Sequence, residues 1–379
     1  MIISSQFDGG NIECLDSSDP ARVLLNIRKD HQSDFYQWFY FRAANVKDLD
    51  CRYLIGNAAG AAYQKGWQDY QAVASYDREF WFRVDTRYDG ESLVIEHNSS
   101  EDQVYFAYFA PYSMERHADL LAFAQTSERC QADTLGLTLD GQTIDCLRFG
   151  EPDSGRSNIW MVARQHPGET MAEWWMEGMI NRLVDHSDPV VNAILDKAVI
   201  YLVPNMNPDG SRRGHLRTNA VGSNLNREWD DPSAEKSPEV LCVLDAIKNT
   251  GLDFGFDVHG DEALPYNFIA GTEGIPGWNH ERQQQLELFK MTLANINPDF
   301  QVEQGYPANT AGNANMSYCS NSLAERFGAL VMTLEMPFKD ASGTPDALQG
   351  WSPERCGRLA HSCLDALHLC WDQVVKQGS

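Results

Sequence analysis

Asn158-Ile159-Trp160-Met161-Val162-Ala163-Arg164-Gln165-His166-Pro167-Gly168-Glu169 is the stretch whose reading decides the fold. Its apolar and β-branched run reads as a buried strand. The strand is expected to stop at His166, because Pro167 and Gly168 break regular structure. Residues 170–185 follow with helical character, so His166 and Glu169 fall where a strand hands over to a helix. Open α/β sheets place their ligand crevices at that carboxyl edge. An imidazole nitrogen and a carboxylate oxygen three residues apart in a constrained turn can reach one ion. Those donors suit zinc, for which two histidines and a glutamate with an open fourth position form a catalytic arrangement.

Downstream, the pattern alternates between strands and helices, the mark of an α/β domain. Residues 197–203 read as a second buried strand. A helix is expected over 238–249, with Ser237 as its N-cap and Pro238 at its first position. Residues 252–258 form a strand ending at His259, 280–296 a long helix, and 329–334 a strand ending at Glu335. The last helix is expected over 352–376. Three strand ends thus carry ligand-type or acid–base side chains: His166 with Glu169, then His259, then Glu335. One strand-end histidine among ten is ordinary; recurrence at the same edge of one sheet is the signal.

Upstream, short aromatic and β-branched runs at 23–27, 35–42, 51–55, 79–84, 92–97 and 103–109 are divided by Gly, Asp, Asn and Ser. They suggest an antiparallel sandwich. The aromatic-rich 35–42 run reads as sandwich core rather than a stacking platform for sugar or nucleic acid. Ala110-Pro111-Tyr112-Ser113 punctuates the chain before a helix over 114–125. The expected domains are an all-β sandwich over 1–113 and a mixed-sheet α/β domain over 114–379.

Composition bounds the function. A net charge of -24 excludes a nucleic-acid partner or an anionic membrane surface. No apolar run approaches the roughly 18 residues of a membrane helix, and no secretory signal is visible at the N-terminus. Nine cysteines occur without any Cys-x-x-Cys pair, so no cysteine-based zinc site is signalled. Cys356, Cys363 and Cys370, seven residues apart, read as small apolar residues on one helix face. Reduced thiols fit a cytoplasmic protein.

Metal-assisted hydrolysis of an amide also needs a base and a partner for the oxyanion. Glu335 lies among apolar neighbours, which raise a carboxyl pKa and suit a group that takes and returns a proton. Arg212, Arg213, Arg217 and Arg227 form a basic island of four arginines in sixteen residues. Arginine binds carboxylates in bidentate fashion and stabilises oxyanions. Asn205-Met206-Asn207-Pro208-Asp209-Gly210 places the island in a loop after a strand end.

His166-Pro167-Gly168-Glu169, Asn207-Pro208-Asp209-Gly210, Asn224-Leu225-Asn226-Arg227, His259-Gly260 and Thr333-Leu334-Glu335 together resemble the M14 zinc carboxypeptidases. The similarity is greatest to their cytosolic carboxypeptidase branch, in which a β-sandwich precedes the catalytic domain. The resemblance implies one zinc ion on His166, Glu169 and His259, and Glu335 as general base and acid. It implies that Arg217 holds the oxyanion and that Asn226 and Arg227 clasp the terminal carboxylate of a peptide or protein substrate. Tyr318 is the nearest candidate for the mobile tyrosine of the classical branch. Residues 314–321, comparable to the branch's specificity stretch, hold no basic residue, and Arg326 falls later, so the preferred C-terminal residue stays open. A related zinc deacylase of N-acyl amino acids, aspartoacylase-like, and a non-catalytic peptide-binding module are the alternatives.

Overall fold

The computed structural model describes residues 1–153 and 155–375. Lys376, the expected end of the last helix, lies outside them. Ten strands build the N-terminal region: β1 (Ile2–Ser4), β2 (Glu13–Asp16), β3 (Val23–Asn26), β4 (Tyr40–Ala44), β5 (Asp50–Ile55), β6 (Val73–Ser75), β7 (Phe82–Arg83), β8 (Asp85–Tyr88), β9 (Leu93–Asn98) and β10 (Gln103–Ala107). They form two five-stranded sheets, ordered β1-β4-β10-β6-β7 and β2-β3-β5-β9-β8. Tyr53 of the second sheet packs on Phe41 and Phe106 of the first, with ring centroids 5.7 and 4.8 Å away. The core of the sandwich lies between them.

Three expectations here need correction. The 35–42 run is a strand only from Tyr40; Phe35 to Phe39 are irregular backbone. There, side chains replace ladder bonds: Gln37 spans the Tyr63 backbone, accepting from its N–H at 2.8 Å and donating to its carbonyl at 3.1 Å. The 79–84 run is likewise reduced to β7, because Asp77 accepts from the backbone N–H groups of Glu79 and Phe80 and holds them in a turn. The sandwich is also not wholly antiparallel, since β3 and β5 pair in parallel.

The C-terminal part begins with α1 (Met114–Ala124), capped by Ser113, whose Oγ accepts from the Arg116 N–H at 3.1 Å. Its sheet has seven strands: β11 (Cys130–Leu137), β12 (Thr143–Phe149), β13 (Ser157–Ala163), β14 (Ala198–Val203), β15 (Phe254–Asp261), β16 (Phe268–Ala270) and β17 (Leu330–Pro337). Their order is β11-β12-β14-β13-β15-β17-β16. The central four, β14, β13, β15 and β17, are parallel, and antiparallel strands flank them. The fold is therefore mixed-sheet α/β behind a β-rich N-terminal domain. The chain leaves β13 to form β14 on one side and returns to form β15 on the other. That is a topological switch point, and its crevice opens at the carboxyl ends.

Helices cover both faces: α2 (Met171–Leu183), α3 (Pro189–Leu195), α4 (Pro208–Arg213), α5 (Pro238–Thr250), α6 (His280–Ile296), α7 (Cys319–Phe327) and α8 (Pro353–Val374). Helix α2 is buried almost all round, as Trp175, Met176, Met179 and Ile180 meet no solvent. Cys356, Cys363 and Cys370 are buried on α8, as the seven-residue spacing implied. Ser237 sits at the start of α5, but its side chain makes no cap; its hydroxyl accepts from the Ser233 N–H instead. Among the described residues no helix is long and apolar enough to cross a membrane.

Candidate active site

Strand β13 ends at Ala163, three residues earlier than its apolar run implied. Arg164 then takes a left-handed φ of 56°, which costs a non-glycine residue about 1 kcal/mol. Its own side chain holds the bend. Nε donates to the Pro167 carbonyl at 3.0 Å, and Nη1 donates to the Tyr112 carbonyl at 2.9 Å and to Glu173 Oε2 at 2.5 Å. Asn207 Nδ2 donates to the Gln165 carbonyl at 3.0 Å, while its Oδ1 caps α4. Asp209 accepts from the Thr138 hydroxyl at 2.6 Å. The Asn-Pro-Asp-Gly motif is thus scaffolding that presses on the turn from outside.

The turn presents His166 and Glu169 to His259 on β15. Glu169 Oε1 lies 2.7 Å from His166 Nδ1, and its Oε2 lies 2.7 Å from His259 Nδ1. One donor atom from each residue lies within 4.8 Å of the others, and all three residues are buried. The far nitrogens have partners as well. His259 Nε2 is 2.9 Å from Asp257 Oδ1, and His166 Nε2 is 3.0 Å from Asn224 Oδ1. Asn224 Oδ1 also accepts from the Asn226 N–H, so it faces His166 as an acceptor. With its proton on Nε2, each ring would turn an Nδ1 lone pair towards the carboxylate. Lone pairs 2.7 Å from carboxylate oxygens repel unless a cation joins them. The donor set fits a divalent, zinc-like ion.

The three groups differ in their electrostatics. Burial, then the nearby Arg217 charge, draws His166 down to about 4, which keeps its imidazole neutral. Burial works against ionisation of Glu169, but the two imidazoles overcome it and hold the carboxyl below its usual range. Burial would also lower His259; Asp257 and Glu169 overcome it and raise that ring.

Glu335 lies within β17 rather than at its end, directly opposite His259 in the parallel register. It is 6% exposed, and its Oε2 has no hydrogen-bond partner. Burial raises its carboxyl well above the ordinary value, with His259 opposing and Glu169, Asp261 and Glu262 adding. Tyr306 donates to Asp261 Oδ2 at 2.6 Å and lies 3.3 Å from Glu335 Oε1. Around these groups opens a cavity of about 590 Å³, also lined by Arg217, Asn226, Arg227, Glu262 and Tyr318. Arg227 lies 3.8 Å over the Tyr318 ring. Asn226 Oδ1 accepts from the Cys319 N–H, and its Nδ2 faces His259 Nε2 at 3.2 Å. Of the arginine island, Arg213 instead pairs with Asp140 at the surface.

Comparison with known proteins places this geometry. Residues 3–109 match the cytosolic carboxypeptidase N-terminal domain, and residues 114–263 match the zinc carboxypeptidase family. A metallo-carboxypeptidase of Burkholderia cenocepacia is 44% identical, with a TM-score of 0.96 over 98% of this chain and 99% of that one. The chain belongs to the M14 metallocarboxypeptidase family, a family of peptidases. A second solved member, the metallo-carboxypeptidase of Pseudomonas aeruginosa in complex with (2-guanidinoethylmercapto)succinic acid, is 42% identical, with a TM-score of 0.95 over 98% of this chain and all of that one. Mouse cytosolic carboxypeptidase 6 is 27% identical over 78% of this chain, which spans 59% of that protein's length.

Several groups of this carboxypeptidase's cleft were not singled out in the sequence. Asp257 lies two residues before His259, hence on the same face of a strand, and that spacing was the available signal. Gln165 adjoins the motif; it donates to Asp257 Oδ1 and accepts from Trp229 Nε1, both at 2.7 Å. Asp261 ends β15, and Glu262 follows it, beyond the point where the strand was expected to end. Tyr306 arrives from an irregular segment between α6 and α7, and nothing local marked it. It, rather than Tyr318, is the tyrosine beside Glu335.

Proposed function

We propose that this chain is a zinc-dependent carboxypeptidase that removes C-terminal amino acids from peptides or protein tails. The observation that carries this is the convergence of His166, Glu169 and His259 donor atoms within 4.8 Å, with Glu335 opposite His259 across the sheet. A zinc ion on those residues supplies Lewis acidity and acidifies water. Glu335, buried and lacking a partner on Oε2, takes the proton from the attacking water and passes it to the departing amine. Arg217 donates to the carbonyl oxygen as negative charge develops there. Arg227, steadied on Tyr318, and Asn226 hold the substrate's terminal carboxylate. The succinate-bearing ligand of the Pseudomonas aeruginosa relative supports a site built for carboxylates.

In this reading the chain divides into a sandwich domain, 1–113, and a catalytic domain, 114–379. Nine cysteines without a disulfide suit a reducing, cytoplasmic setting. The test is release of free amino acids from peptides that differ only in their last residue, before and after chelation. Chelator-sensitive release restored by zinc is expected. Turnover of N-acyl amino acids with peptides untouched would make the chain a deacylase, and zinc binding without any turnover would make it a binding module.

A further inference from the structure

Arg217 does not stand on the catalytic domain alone. Its loop, residues 214–218, runs between the two halves of the molecule and is bonded on both sides. On one side the Leu216 carbonyl accepts from the Gly168 N–H at 2.9 Å, inside the turn that carries His166 and Glu169. On the other side lies Asp30, a buried carboxylate of the N-terminal sandwich. Asp30 Oδ1 accepts from the Leu216 N–H at 2.7 Å. Its Oδ2 accepts from the N–H groups of Arg217 and Thr218 at 2.8 and 2.9 Å, and from the Thr218 hydroxyl at 3.1 Å. Three successive backbone donors on one carboxylate form a compact anion nest, and here the anion comes from the other half of the molecule.

Further contacts tie the same loop. The His31 N–H donates to His215 Nε2 at 3.1 Å, and Asn11 Nδ2 donates to the Gly214 carbonyl at 2.8 Å. Gly214 itself has a φ of 71°, and a Cβ there would lie 2.8 Å from the Gly9 and Gly10 carbonyl oxygens. The two backbones meet as closely as glycine allows. Beyond the loop, the Arg217 guanidinium lies 5.5 Å from the ring centroids of both Phe35 and Tyr63. Both rings belong to the sandwich, and Tyr63 lines the cavity. Arg217 Nε has no hydrogen-bond partner, so the aromatic faces, not a carboxylate, restrain the head group. That leaves its donors for a substrate.

We propose that the N-terminal domain completes the catalytic cleft, with Asp30 a positioning residue that sets Arg217 and with Phe35 and Tyr63 fixing the direction of its guanidinium. This rests on Arg217 acting at the scissile carbonyl, as argued above. The carboxylate is well suited to the task. It neutralises no side-chain charge of Arg217; it orients three peptide N–H groups, and through them the Cα from which the arginine projects. A shift of about 1 Å in such a group costs about a hundredfold in rate.

The test uses the full-length, zinc-loaded protein and the variants Asp30→Ala, Asp30→Asn, Tyr63→Leu, Arg217→Ala and the pair Asp30→Ala with Arg217→Ala. Asp30→Ala is expected to lower kcat about a hundredfold with KM nearly unchanged, the mark of a contact made in the transition state. Asp30→Asn, which keeps one acceptor, should recover part of that loss. In the Arg217→Ala background, Asp30→Ala should cost little more. A full multiplicative loss in that background, or wild-type kcat in Asp30→Ala, would overturn the proposal. Tyr63→Leu leaves every Asp30 hydrogen bond in place, so it answers the question if Asp30→Ala does not fold; undiminished kcat there also counts against the proposal. Amide hydrogen exchange needs no turnover. In Asp30→Asn, the amides of residues 216–218 should exchange about tenfold faster or more while those of β13 do not change; unchanged exchange would refute the positioning. If the wild-type protein releases no amino acid, the carboxypeptidase reading fails, and the exchange experiment still decides what Asp30 holds.

Discussion

Glu335 shows how much one residue depends on its surroundings. Its carboxyl is raised by burial, it has an unpartnered Oε2, and it lies opposite His259. Glu335→Gln keeps the shape and removes the proton acceptor. It is expected to lower kcat about a thousandfold with bound zinc per chain unchanged, checked by turnover and elemental analysis. Loss of zinc together with activity would mean that Glu335 belongs to the ligand set instead. This residue was legible in the sequence because Thr333-Leu334-Glu335 combines a buried strand with a lone acid. Asp261 and Tyr306 were not, since each acquires meaning only from a neighbour distant along the chain; Asp257 had only its two-residue spacing from His259 to mark it.

Among the elements, the crossing of α2 and α8 and the network behind the His166–Glu169 turn carry separate consequences. At the crossing Gly178 meets Gly357 so closely that a Cβ on Gly178 would collide with the opposing backbone. Gly178→Ala should therefore destabilise the fold by about 1–3 kcal/mol through overpacking, seen as a lower thermal unfolding midpoint. Behind the turn, His117 Nδ1 of α1 lies 2.6 Å from Glu173 Oε1 of α2, and Nε2 lies 3.5 Å from Asp145 Oδ2 of β12. Burial would lower this imidazole, but Glu173 and Asp145 win and push it up to about 9. A histidine raised on folding contributes stability in full below its unfolded value, about 6.5, and loses it as pH rises through about 9. The unfolding midpoint should accordingly fall across that window, and His117→Gln should flatten the slope; an unaltered slope would assign it to other groups. Element types in the α/β half followed from periodicity. Strands β11 and β12 did not, because their solvent-facing residues dilute the apolar signal; nor did the buried three-residue β16 or the short helices α3, α4 and α7, which span too few residues to establish a period.

For the whole molecule, a formal charge of -24 surrounds a cleft that holds Arg217 and Arg227. The long-range field repels acidic peptides, while the local arginines attract a terminal carboxylate. Salt screens the first more than the second, because screening acts over about 10 Å at 0.1 M. The expected outcome is that kcat/KM rises with ionic strength for peptides carrying glutamates upstream and falls for those carrying lysines. Steady-state kinetics on matched peptides checks this, and identical salt responses would remove the field from the account. Chelation should lower the unfolding midpoint as well as activity, since an ion held only by the folded chain stabilises it by mass action; a calorimetric scan with and without zinc measures it.

By itself the sequence determined the alternation that makes an α/β sheet, the sandwich ahead of it, and the three side chains, His166, Glu169 and His259, that the fold brings together. Those properties are encoded locally, in hydrophobic period, turn chemistry and the types of side chain at strand ends. Only the tertiary structure decided where β13 stops and how Arg164 turns the chain, which imidazole nitrogens face the carboxylate, and that Tyr306 stands beside Glu335. It also decided that Tyr63 reaches the cleft, and Asp30 the Arg217 loop, from the other half. The reason is physical: these are contacts between segments up to about two hundred residues apart, and short-range periodicity carries no record of which distant carboxylate fills which nest.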